Sequence, residues 1–218
     1  MLDRIFNADN VVFRFFSTLG YVWWLHILWL ICSLPVITLG ASTTALCYSC
    51  MKLRKQEGYA TKNFFTSFRE NFKQSTILFL LFAAAGGVLI ADIILSNQMG
   101  NQMGRLLKGG AVVLLVPYSI TLLYVFAVQA RFVNPVAKTI QYAFVLASRY
   151  FGYTIQLAIL AGLALYLNTT IILANFITLS IGIGVLAYFM SAYYNRIFAH
   201  YIPEEKEPEE LGETEENT

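Results

Sequence analysis

The chain has 218 residues, of which 57% are hydrophobic and only 13% charged, with a formal net charge of +2. Globular domains carry about a quarter charged residues, so this composition, with a mean hydropathy of +0.60, excludes an ordinary soluble enzyme. The net charge hides a polarised layout: residues 203–218 hold eight Glu and one Lys, so that segment carries −7 and the remainder +9.

The opening stretch LDRIFNADNVVFRFF mixes Asp3, Arg4, Asp9 and Arg14 with apolar residues. It reads as an interfacial amphipathic lead-in and not as a cleavable signal peptide. Apolar character then runs from Phe15 to Met51, interrupted at Pro35 and Gly40. A bilayer helix needs roughly 20 predominantly apolar residues, so this stretch is too long for one straight span and short for two. It is either one tilted span broken near Pro35, since proline removes a backbone donor, or a hairpin in which 11–34 cross and 36–51 return.

Three further stretches are clear. Residues 74–94 carry one acid, Asp92, and residues 109–130 are free of charge. Residues 150–195 then run for 46 positions without an Asp, Glu, Lys or Arg. That length suffices for two spans, with Asn168, Thr169 and Thr170 as the turn. The expected fold class is all-α: a polytopic transmembrane helical bundle of five or six spans occupying 1–202, followed by a disordered acidic tail at 203–218. A segment so rich in Glu buries too little apolar surface to order itself.

Basic residues set the expected orientation. Segment 52–73 carries Lys52, Arg54, Lys55, Lys62, Arg69 and Lys73; segment 131–149 carries three more, and Arg196 follows the last span. The alternating side holds Arg105 and Lys108 alone. Ten against two is a positive-inside pattern. It predicts cytoplasmic loops at 52–73 and 131–149, a cytoplasmic C-terminus and outward-facing 96–108 and Asn168–Thr170, in a bacterial cytoplasmic membrane. Arg4 and Arg14 favour a cytoplasmic N-terminus as well, which requires the hairpin.

Few residues invite chemistry. Cys47 and Cys50 form C-Y-S-C, but within an apolar helix and without a His pair, so with Cys32 they read as small packing residues. No metal site is expected, since two thiols are too few ligands, and no cofactor is expected either. His26, flanked by Trp23, Trp24 and Trp29, is a candidate intramembrane polar group, either in a proton pathway or bonding a neighbouring helix. Asp92 is a second such candidate, near the outer interface. The chain has two His and lacks H-E-x-x-H, G-x-S-x-G and a P-loop, so catalysis is not expected. The run 83–87 (AAAGG) offers a small-residue face for helix packing.

The richest segment is 62–73, KNFFTSFRENFK. There Phe64, Phe65, Phe68 and Phe72 fall at i, i+1, i+4 and i+8 on one helical face. A short amphipathic helix of this kind lies on the membrane surface, packs on its own bundle or docks into a partner.

Three segments together, LPVITLGASTTAL (34–46), FFTSFRENFKQST (64–76) and ARFVNPVAKTIQYAFVLASRY (130–150), give the chain its resemblance to the YesL-like bacterial integral membrane proteins, a domain of unknown function, number 624. The resemblance covers nearly everything before the acidic tail. It implies a neighbourhood of carbohydrate ABC importers and glycan-degrading enzymes in Gram-positive bacteria, and it carries no catalytic residues. The chain has no recognisable EAA-type coupling loop. The expectation is therefore a non-catalytic accessory subunit or assembly factor with the lipid bilayer and carbohydrate ABC importer permease or ATPase subunits as partners, and no nucleic acid. The alternatives are an independent small-solute transporter or channel using His26, Asp92, Tyr118, Gln129, Gln156 and Asn168, or a membrane sensor whose tail recruits a soluble partner.

Overall fold

The computed structural model describes residues 11–99 and 101–201; the expectations for the extreme N-terminus and for the acidic tail lie outside that range. Among the described residues the regular structure is helical: α1 (Val11–Cys32), α2 (Leu39–Arg54), α3 (Ala60–Met99), α4 (Gln102–Arg131), α5 (Val136–Arg149), α6 (Phe151–Thr170), α7 (Ile172–Ile177) and α8 (Ile183–Phe198), with a π-helical turn, Thr178–Gly182, joining the last two. Five segments are long and apolar enough to cross a bilayer: Arg14–Cys32, α3, α4, α6 and the continuous Ile172–Phe198. The fold is thus an all-α polytopic bundle. The charge-free run 150–195 divides where its polar triplet ends, at Ile171, which is extended between α6 and α7.

The ambiguous first stretch is a hairpin. The chain turns after Cys32, and Thr38 closes the turn by donating its hydroxyl to the carbonyls of Cys32 (2.5 Å) and Pro35 (2.6 Å). α2 then runs back along α1, with Ser33 against Ser42 (2.6 Å) and the Trp29 indole donating to Thr43 (3.2 Å). At 16 residues α2 spans only about 24 Å at 1.5 Å per residue, less than the roughly 30 Å hydrocarbon core. It is also polar, with Ser42, Thr43, Thr44 and Ser49. Such a helix is stable at membrane depth only when enclosed by protein, and Gly40, Ala41, Ser42, Thr44, Ala45, Leu46, Ser49, Cys50 and Met51 are all buried.

The enclosure has two halves. Leu25 and Leu28 of α1, Ala45, Leu46 and Cys50 of α2, and Ala60 and Phe64 of α3 form one apolar cluster. Met51 joins a second with Leu78, Tyr124, Val128, Leu157, Tyr194 and Ile197, which ties α2 to α3, α4, α6 and α8. The α2–α3 contact is the tightest: a Cβ built on Gly40 would lie 2.2 Å from the Ser75 carbonyl oxygen. Beside it the hydroxyls of Thr44 and Ser75 pair at 2.9 Å. In the run 83–87 Gly86 makes the close approach, to Tyr118 of α4, while a Cβ on Gly87 would meet open space.

Two connections differ from their expected form. Segment 60–73 is not a separate surface helix but the first third of the 40-residue α3, because nothing after Tyr59 breaks the helix. α3 is therefore about 60 Å long, roughly twice the hydrocarbon thickness, and Lys62, Arg69, Glu70 and Lys73 confine its lipid-facing part to the portion beyond. Segment 131–149 contains the amphipathic α5, whose buried Thr139, Ala143, Leu146 and Ala147 repeat at i, i+4, i+7 and i+8.

Gly40→Ala should destabilise the bundle. A new methyl in a well-packed contact costs typically 1–3 kcal/mol, which overrides the gain of about 1 kcal/mol that alanine ordinarily brings to a helix. Gly87→Ala should be neutral or stabilising. Thermal unfolding of the two purified variants in detergent checks the contrast, and indistinguishable midpoints would contradict it.

Candidate functional site

The polar chemistry of the described chain gathers where α3's charged third meets the end of α4. A groove of about 990 Å³ lies there, walled by residues 68–74 of α3, by 129–133 and by Tyr48 of α2. Its floor is Gln129, 3% exposed, whose amide nitrogen donates to Asn71 Oδ1 (3.0 Å) and Gln74 Oε1 (2.8 Å) and whose oxygen accepts from the Thr139 hydroxyl (3.2 Å). Both amide donors and the acceptor are thus engaged, so Gln129 fastens α3, α4 and α5 together. The rim carries Arg69, Lys73 and Arg131 against one acid, Glu70. Phe68, Phe72 and Phe132 supply rings, and Val133 stands fully exposed in the extended stretch before α5.

The four phenylalanines divide between bundle and groove. Phe64 is wholly buried in the α1–α2–α3 cluster. Phe68 is half-buried, near-parallel to Phe64 at 6.3 Å and edge-on to Phe72 at 5.5 Å. Phe65 (39%) and Phe72 (36%) are exposed. The face divides around the helix and not along it: Ser75 and Phe82 continue the buried line of Phe64, whereas at roughly 100° per residue Phe65 and Phe72 turn about a quarter of the circumference away from it.

His26 is fully buried and serves the bundle. Its Nδ1 accepts from the Gly184 backbone N–H (3.3 Å), and its Nε2 donates to the Leu179 carbonyl (2.8 Å), which is the tautomer protonated on Nε2. Leu179 lies within the π-helical turn and Gly184 two residues beyond it, where the helix ladder is irregular, and a Cβ on Gly184 would crowd Val22 and His26 at under 3 Å. The ring also stacks on Trp29 at 5.9 Å. Asp92 is exposed, seven residues before the end of α3, and joins neither His26 nor the groove. The other polar groups are satisfied locally or face outwards: Tyr118 donates to the Phe82 carbonyl (3.0 Å), Asn168 to the Ala164 carbonyl (2.7 Å), and Gln156 is exposed. No hydrogen bond links Tyr118, Gln156 and Asn168 to one another among the described residues.

Arg54 does more than mark topology. Its guanidinium donates to the Tyr188 carbonyl (2.8 Å) and Ser191 hydroxyl (3.3 Å) and lies 4.2 Å over the Tyr188 ring, fixing α2 to α8. In the turn between α2 and α3, burial pushes the Glu57 carboxyl up, but the hydrogen bond and charge of Lys52, with Lys55 and Arg131 adding, hold it below its usual value. A carboxyl so lowered stabilises the fold above the ordinary carboxylate range, and that contribution is lost as pH falls through the lowered value. The three cysteines are free thiols, Cys50 inside the α1–α2–α3 cluster. Among the described residues no group of three His, Cys, Asp or Glu side chains is placed to hold a metal.

Sequence reasoning did not single out α5 or the bonding role of Arg54, although the spacing of Thr139, Ala143, Leu146 and Ala147 carries the signal for the helix. Residues 22–93 match the family described as Protein of unknown function, DUF624. That stretch runs from α1 through most of α3 and contains two of the three resembling segments, 34–46 and 64–76. No curated protein and no solved structure matches the chain.

Phe64→Ala should cost about 3–5 kcal/mol, the usual range for truncating a buried phenylalanine. Phe65→Ala should stay within about 0.5 kcal/mol, as surface changes do. Chemical or thermal unfolding in detergent separates the two; equal losses would mean that the rings act as one buried face.

Proposed function

We propose that this protein is a non-catalytic accessory subunit or assembly factor of the bacterial cytoplasmic membrane, which holds a partner at the groove between α3 and the α4–α5 junction. The observation that carries the reading is the groove itself: three cations, exposed aromatic edges and an uncovered Val133 on a floor whose polar groups are already satisfied. Exposed rings beside arginine are the composition of protein-recognition surfaces. The partner class, permease or ATPase subunits of a carbohydrate ABC importer, comes from the family resemblance. Exposed aliphatic side chains along α6 and α7, such as Ile159, Leu163, Ile172 and Leu173, suit a lipid-facing perimeter.

Phe72→Asp should leave thermal stability within about 1 kcal/mol, because the ring is partly exposed, and should abolish co-purification of importer subunits from detergent extracts. Recovery of the protein alone, under conditions that keep importers intact, would overturn the accessory role. Substrate-dependent flux into liposomes holding only this protein would favour a transporter in its place.

The groove, both basic segments and the C-terminus are assigned to the cytoplasm by the ten-to-two distribution of Lys and Arg. The α1–α2 hairpin supports a cytoplasmic start as well, since Arg14 and Tyr21 border the same cleft as Leu53, Arg54 and Tyr59. An impermeant thiol reagent should fail to label Gly58→Cys or Lys138→Cys in intact cells and should label both in inverted vesicles. The reverse pattern would invert the topology.

A further inference from the structure

The fold brings the groove and the end of α8, after which the acidic segment 203–218 follows in the sequence, to the same end of the molecule. Arg69, Lys73 and Arg131 face the groove, and the ion pairs among the described residues join Glu57 to Lys52 and Lys55 only. These three cations therefore meet no carboxylate within ion-pair distance among the described residues. The segment beyond α8 holds eight Glu and one Lys. Its point of departure is also fixed: Phe198, at the end of α8, lies edge-on to Phe132 of the groove wall with ring centroids 5.2 Å apart. Three residues on, Tyr201 rests against Tyr150 and 5.9 Å from the Arg149 guanidinium.

We propose that the groove is the docking surface for the chain's own acidic C-terminal segment, whose carboxylates meet Arg69, Lys73 and Arg131. The segment is long enough to turn back to the groove, whose wall residue Phe132 packs on Phe198. An extended chain advances about 3.3–3.6 Å per residue, so the residues from 203 to 218 can span roughly 50 Å, enough for their carboxylates to reach the rim. Exposed ion pairs are individually weak. A segment tethered beside its site, however, competes at an effective concentration of the order of millimolar, which a free acidic peptide does not attain. The same segment repels an anionic lipid headgroup from the groove. Docked, it covers Phe72 and Val133, so segment and partner exclude one another. The inference rests on the groove's geometry and not on who the partner is, and its test uses this protein alone.

A benzophenone amino acid placed at Val133 in the full-length, detergent-solubilised protein reports the occupant on illumination, with the cross-linked peptide identified by mass spectrometry. Cross-links into 203–218 are expected. Their yield should fall about fivefold or more in 1 M salt, where the Debye length shrinks to about 3 Å. It should fall equally in Arg69→Glu/Lys73→Glu/Arg131→Glu. Replacing Glu204, Glu205, Glu207, Glu209 and Glu210 with Gln leaves the helices untouched and should have the same effect, which keeps the test decisive if the charge-reversed variant does not fold. Cross-links to lipid or to a co-purified protein with none to the segment would overturn the proposal, and so would segment cross-links indifferent to salt and to both sets of substitutions.

Discussion

The bundle depends on the enclosure of α2. This helix is too short and too polar to face lipid along its length, and a backbone or hydroxyl group left unpaired in hydrocarbon costs several kcal/mol. Its surroundings meet most of that requirement, the buried Ser49 hydroxyl having no hydrogen-bond partner among the described residues. α1 folds back over one side, the first half of α3 lies against another, and α4 and α8 close the rest. The hydroxyls of Ser42 and Thr44 bond back to the carbonyls of Thr38 and Gly40, and Thr44 also reaches Ser75. Hydrophobic burial drives helix association weakly inside a bilayer, so close packing of small residues and interhelical hydrogen bonds take its place. Gly40 against the Ser75 backbone is where both operate.

The same device recurs wherever two helices must be fixed. His26 bridges the irregular turn before α8, Arg54 ties α2 to α8, Tyr118 reaches the Phe82 carbonyl of α3, and Tyr194 reaches the Leu123 carbonyl of α4. Each is a polar side chain spent on a neighbouring helix's backbone. That use explains why several polar side chains in the spans are engaged with neighbouring backbone. Polar groups that remain available to another molecule collect at the basic end, where charge is solvated and the chain's terminal segment also emerges.

The composition and the charge-free runs sufficed for the all-α membrane fold, because lipid admits few spanning structures and a helix satisfies its own backbone within one segment. The division of the long apolar run at Asn168–Thr170 and the packing role of Cys50 were legible for the same local reason. Other features were not. The hairpin at Pro35 stayed open in the sequence because α2 has neither the length nor the apolarity of a span, and its shielding comes from residues far along the chain, such as Ser75 and Tyr188. The four phenylalanines fall within one broad helical face, yet Phe64 is core and Phe72 is surface, since which part of that face the α1–α2 hairpin covers is decided by α1 and α2. His26 and Gln129 likewise show their roles only through partners 153 and 58 positions away. Sequence determined what each segment is made of and therefore which solvent it tolerates; tertiary structure alone decided which side chains are enclosed, because enclosure is a property of neighbours and not of the residue itself.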